Sequence, residues 1–190
     1  EITPLFRKDR GLPIIYLVPR KPDSKPTRIA VNILLFALTV LSVMFVGAQP
    51  EGTPPADVLG QLWFTAQSIL TGWPYAVSLL SILLAHEFGH YLMSRHHKTR
   101  ATLPYFIPLP LPPLGTMGAA ILMQGTPRNK RVLFDIGVAG PLAGLVVALP
   151  ILFLGLSMSD LGVIQGIDGM VQMEGNSVIY LAAKYITFGQ

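Results

Sequence analysis

The residues best suited to chemistry are His86, Glu87 and His90, in the run His86-Glu87-Phe88-Gly89-His90. On a helix, positions i and i+4 share a face, with Cβ atoms about 6 Å apart. Two imidazoles so placed can hold one zinc ion at about 2.0–2.1 Å each. Glu87 lies about 100° further round the helix, where its carboxylate can reach a zinc-activated water without ligating the metal. This is the logic of the H-E-x-x-H pattern. Zinc makes the water acidic near neutral pH, the carboxylate takes its proton, and the resulting hydroxide attacks a polarised peptide carbonyl. The spacing therefore predicts His86 and His90 as metal ligands and Glu87 as the general base.

A zinc site of this type needs a third protein ligand and leaves the fourth position for water. The chain has no cysteine, so that ligand has to be a carboxylate or another His. Asp135 is open to three readings: ligand, partner of a His ring N–H, or polar helix start. The last two are favoured, and the sequence offers no strong third ligand. His96 and His97, beside Arg95, Lys98 and Arg100, read as interfacial basic residues.

The elements that must carry this site are membrane helices. Of the 190 residues, 51% are hydrophobic and 13% charged, against about 25% charged in soluble domains. The mean hydropathy is +0.53. Three long uncharged stretches stand out: Ala30 to Gly47; Trp73-Pro74 through Leu84 within an uncharged segment from Val58; and Ile136 to Ser159. The first is long enough to cross the roughly 30 Å hydrocarbon layer as a helix, and three such stretches in one small chain favour a membrane protein. Glu87 then sits within a span, where a carboxylate costs at least a few kcal/mol and so calls for a function.

Charge gives the orientation. Arg7, Lys8, Arg10, Arg20, Lys21, Lys25 and Arg28 precede the first span; Glu51 and Asp57 follow it. Basic residues cluster again after the second span, at 95–100 and 128–131, and Asp160, Asp168 and Glu174 follow the third. The positive-inside rule places the N-terminus on the cytoplasmic side. The net charge of +4 is blocked along the sequence rather than spread over a surface, and no nucleic-acid partner is expected. Residues 1–28 read as a cytoplasmic basic segment, and residues 29–190 as the membrane-embedded core.

Between spans two and three, Ala101 to Pro127 is uncharged yet flanked by basic clusters on both sides. A single crossing would put one cluster on the wrong face. Pro104, Pro108, Pro110, Pro112 and Pro113 also forbid a helix interior. The segment therefore reads as a membrane-dipping hairpin entering and leaving from one side, with its backbone satisfied by protein or a water-filled cavity. The third span opens Gly137-Val138-Ala139-Gly140-Pro141-Leu142-Ala143-Gly144. Its small residues permit close helix contact and should set this helix against the one bearing His86 and His90. The expected fold class is an all-α polytopic membrane protein with three to four transmembrane helices and a proline-rich hairpin.

On these residues the chain resembles the site-2 protease family of intramembrane zinc metalloproteases. The resemblance rests on His86-Glu87-Phe88-Gly89-His90, on Arg95, and on Ala139-Gly140-Pro141-Leu142-Ala143-Gly144. Leu103-Pro104-Tyr105-Phe106-Ile107-Pro108, Gly115-Thr116-Met117-Gly118-Ala119 and Pro4-Leu5-Phe6 look like the branch named for ethylene-dependent gravitropism-deficient and yellow-green proteins. The resemblance implies a Zn2+ cofactor on the cytoplasmic side and cleavage of transmembrane protein substrates. It also implies residence in a bacterial inner membrane or an organellar (plastid) one. Members take the third ligand from an Asp-Gly motif on a later helix, which is expected beyond Gln190, so the chain reads as a fragment. A catalytically inactive homologue that binds membrane partners is the main alternative. A metal or proton transporter is the other, although no inverted repeat is visible.

Overall fold

The computed structural model describes residues 2–9, 12–19, 28–48, 55–125, 127–159, 175 and 177–189. The acidic residues at 160, 168 and 174 that entered the orientation argument lie outside these, as do Arg10, Arg20, Lys21, Lys25 and Glu51.

Among the described residues five helices form the bulk: α1 (Ile29–Gly47), α2 (Val58–Thr71), α3 (Trp73–His96), α4 (Lys130–Ser157) and α5 (Val178–Phe188). Three of them, α1, α3 and α4, are long and apolar enough to cross a membrane. At 14 residues α2 rises only about 21 Å, and α5 is a shorter apolar helix.

The solvation pattern is inverted relative to a water-soluble core. Ile33, Leu34, Leu41, Val77, Leu142 and Val146 are exposed, while Asn32, Thr39, Ser42 and Glu87 are buried. Apolar side chains on the outside of helices with polar ones within is the arrangement lipid favours, because only the interior offers hydrogen-bond partners.

Helix starts explain where the boundaries differ from expectation. Asn129 caps α4, its side chain accepting from the Val132 N–H at 2.9 Å. The helix therefore begins six residues before the apolar run and takes in Lys130, Arg131 and Asp135. Gly72 joins α2 to α3 with Pro74 in the first turn, where its missing N–H has no helical partner to lose. A Cβ on Gly72 would collide with the Met44 carbonyl of α1, so this corner closes only on glycine.

The fold is mostly helical but not all-α. Strands β1 (Ile2–Asp9) and β2 (Leu12–Pro19) pair antiparallel, within the segment read above only as basic. Its positive charge hid a strand signal, the β-branched and aromatic run Ile14-Ile15-Tyr16-Leu17-Val18. Strands β3 (Tyr105–Pro108) and β4 (Thr116–Ala120) form a second antiparallel pair, Tyr105 opposite Ala120 and Ile107 opposite Gly118. Beyond them, Ala101 bridges to Met123.

This second hairpin lies along α1. Asn32 Nδ2 donates to the carbonyls of Pro104 at 2.8 Å and Leu103 at 3.3 Å. Ser42 Oγ donates to the Gly115 carbonyl at 2.6 Å. The Phe36 and Phe106 rings meet edge-on, their centroids 5.0 Å apart. Asn32 and Ser42 stand about 15 Å apart along the helix axis, so the hairpin follows α1 for much of its length. Near its tip, the Tyr75 hydroxyl at the start of α3 donates to the Pro113 carbonyl at 2.9 Å. Side chains from α1 and α3 thus bind backbone carbonyls of the hairpin.

Candidate metal centre

His86, Glu87 and His90 all lie on α3, in the half nearer its C-terminal end. Helical spacing divides them between two faces. Ala76, Leu80 and Glu87 are buried at intervals of four and seven residues, so they share a face. That face packs on Val43 of α1. His86 and His90 turn toward α4.

The helices α3 and α4 run antiparallel, and the contact is built from small residues. A Cβ on Gly89 would come within 2.5 Å of the Ala139 carbonyl and 2.9 Å of the Ala143 methyl. One on Gly140 would fall inside the His90 ring, and one on Gly144 would touch His86. The small-residue stripe of α4 is therefore the floor on which both imidazoles lie. Pro141 adds a second effect. It leaves the Gly137 carbonyl without its helical donor, and the neighbouring Ile136 carbonyl accepts from His90 Nδ1 at 2.6 Å.

That contact fixes the tautomer. A carbonyl can only accept, so Nδ1 carries the proton and Nε2 presents its lone pair. His90 Nε2 lies 3.1 Å from His86 Nε2. Two nitrogens that share a tetrahedral zinc ion at ordinary bond lengths are about 3.3 Å apart. The donor set and its spacing fit a shared metal ion. Glu87 is 7% exposed, with no hydrogen-bond partner among the described residues.

Among the described residues no three His, Cys, Asp or Glu side chains gather as a metal-binding group. Asp135, open above to the readings of ligand, His-ring partner and helix start, forms no hydrogen bond or ion pair with the 86/90 pair. It sits in the second turn of α4, and its carboxylate pairs with His97 Nε2 at 3.0 Å. His97 in turn is a cross-helix partner and not merely an interfacial cation. The geometric cause is the antiparallel register, which sets residue 135 beside the C-terminal end of α3 and leaves His90 to the backbone of residue 136.

Asn32, Ser42 and Tyr75 belong to no motif, yet they hold the β3–β4 hairpin to α1 and to the start of α3. One signal for them is present in the sequence: an Asn within an apolar span is expensive unless a neighbour takes its amide.

A mostly helical protein with three helices long and apolar enough to cross a membrane, one of them carrying a histidine pair, is the class that this fold and site define. Residues 74–187 match Peptidase family M50, and the chain belongs to that family. It is 33% identical over 147 residues to the "Probable zinc metalloprotease EGY1, chloroplastic" of Oryza sativa subsp. japonica, covering 68% of this chain and 24% of that protein. It is 36% identical over 169 residues to its namesake in Arabidopsis thaliana, covering 78% of this chain and 30% of that one. To the Arabidopsis "Probable zinc metalloprotease EGY2, chloroplastic" it is 26% identical over 148 residues, covering 76% of this chain and 26% of that protein. The chain thus spans about a quarter to a third of the curated relatives it matches. No solved structure matches it.

Proposed function

We propose that this chain is the membrane-embedded core of an intramembrane zinc metalloprotease that hydrolyses peptide bonds of transmembrane proteins. The observation that carries the reading is the pair of ring nitrogens 3.1 Å apart beside a buried Glu87 on a helix long and apolar enough to span a bilayer. The zinc named in its relatives supplies Lewis acidity when bound, polarising a carbonyl and acidifying water.

The chain's own residues do the rest. His86 and His90 present their Nε2 atoms to the metal, and the Ile136 carbonyl holds the His90 ring. Glu87 takes the proton from the attacking water and returns it to the leaving amine. The low-dielectric surroundings of Glu87 strengthen its interactions with developing charge. Among the described residues no third ligand gathers beside this pair.

The β3–β4 hairpin dips into the bilayer beside the site. Its β3 strand packs on α1, which leaves the outer edge of β4 for an unwound substrate segment to join as an added strand. The basic clusters favour an N-terminus on the cytoplasmic or stromal side, and the chloroplastic relatives favour a plastid membrane over a bacterial one.

The test is cleavage of a single-span reporter by the natural-length protein, wild type against Glu87→Gln. The substitution should lower the rate by at least about 100-fold while zinc content stays at the wild-type level. Equal rates would remove Glu87 from the mechanism. A zinc-loaded wild type that cleaves none of several reporters would make this a non-catalytic membrane-binding homologue.

A further inference from the structure

The end of α3 closes with a turn that glycine normally makes. The Lys98 N–H donates to the Arg95 carbonyl at 3.0 Å and the Thr99 N–H to the Ser94 carbonyl at 2.8 Å. These are the paired bonds of a Schellman motif, whose central residue is left-handed and usually Gly. Here that residue is Lys98, at φ 55°. The positive-inside rule accounts for basic residues at this end of a span, but not for a lysine in a backbone conformation that costs it strain.

Lys98 faces a hollow of about 250 Å³ lined by Arg95, Lys98, Thr99, Arg100, Ala101 and Gln124. Three of the six are cations and none is acidic. The walls are held by the Gln124 N–H donating to the Arg100 carbonyl at 2.8 Å and by the Ala101–Met123 bridge. The antiparallel register brings Arg128, Lys130 and Arg131 to the same end of the helix pair. A span of 24 residues ending at His96 puts this hollow at headgroup depth.

We propose that the hollow binds the phosphate group of an anionic lipid headgroup, with Lys98 held in its strained turn to complete the site. Arg95 and Arg100 supply forked donors for phosphate oxygens, and Lys98 adds a compact point charge. The proposal is independent of the proteolytic reading, since no residue of the hollow belongs to the histidine pair.

The test uses the full-length protein in a neutral detergent and counts bound molecules by native mass spectrometry. It is titrated separately with short-chain phosphatidylglycerol, short-chain phosphatidylcholine and inorganic phosphate. Phosphatidylglycerol should be retained at one site in preference to phosphatidylcholine. Lys98→Gly keeps the turn and removes the charge, so it should bind about five-fold more weakly, the loss expected for one lysine near a headgroup. It should unfold at the same or a higher temperature without lipid. Lys98→Gly combined with Arg100→Gln should abolish the preference. Equal retention of the two lipids, or unchanged binding by Lys98→Gly, would overturn the proposal. Saturation of the site by inorganic phosphate at the same concentrations would overturn the lipid as its source.

Discussion

The imidazole of His90 is held from two sides by α4: its Nδ1–H donates to the Ile136 carbonyl at 2.6 Å, and its ring lies where a side chain at Gly140 would be. One bond sets which nitrogen is free, and one absence of a Cβ sets where it points.

Replacing Gly140 by Ala should therefore act on metal binding. The added methyl falls on the ring, and the nitrogen pair separates. Zinc affinity, measured by competition with a chromogenic chelator, should drop by 10- to 100-fold, on the order seen when a ligand's outer partner is lost. Gly137→Ala is the control. Nothing lies within 4 Å of a Cβ there, and zinc affinity should be unchanged.

Gly89 tests the helix pair rather than the metal. A leucine at 89 must push the α4 backbone away at Ala139 and Ala143, a crowding that typically costs about 1–3 kcal/mol. Denaturant titration in mixed micelles should show that loss. An unchanged midpoint would mean that the two helices do not pack here.

Much of this helix pair is legible in the residues alone. The spans at α1 and α3 follow from uncharged length and from Trp73-Pro74, because lipid leaves a simple hydrophobic signature. Gly137, Gly140 and Gly144 likewise announce a close contact. What the sequence conceals is register. Only the antiparallel offset decides that Asp135 meets His97 and that His90 meets a backbone carbonyl, and no spacing within one helix encodes an offset between two. The β1–β2 pair is hidden for a different reason: its charges point to topology, and they mask a strand pattern underneath.

The place of Asp135 beside His97 has its own consequence. Asp135→Asn removes the partner of His97 in a pair that is partly open, its carboxylate side chain 46% exposed. Stability should fall by no more than about 1 kcal/mol, and the zinc-to-protein ratio by atomic absorption should not change. Loss of zinc would return Asp135 to the metal site.

Asn32 is the most informative position on α1. Changing it to Leu keeps the size and removes the donor to the Leu103 and Pro104 carbonyls. Leaving buried carbonyls without partners should cost about 1–3 kcal/mol. The local result should be a looser hairpin, read as faster labelling of a cysteine placed at Met117. Labelling at the wild-type rate would show that α1 does not hold the hairpin.

The bonds from Asn32 and Ser42 also bear on how the protein is made. Synthesis runs from the N-terminus, so α1 is complete before residues 103–116 leave the ribosome. A proline-rich segment with unmatched carbonyls has no favourable way into lipid by itself. With α1 already in place, that segment finds donors waiting along its path, and the first helix acts as the template on which the later hairpin folds.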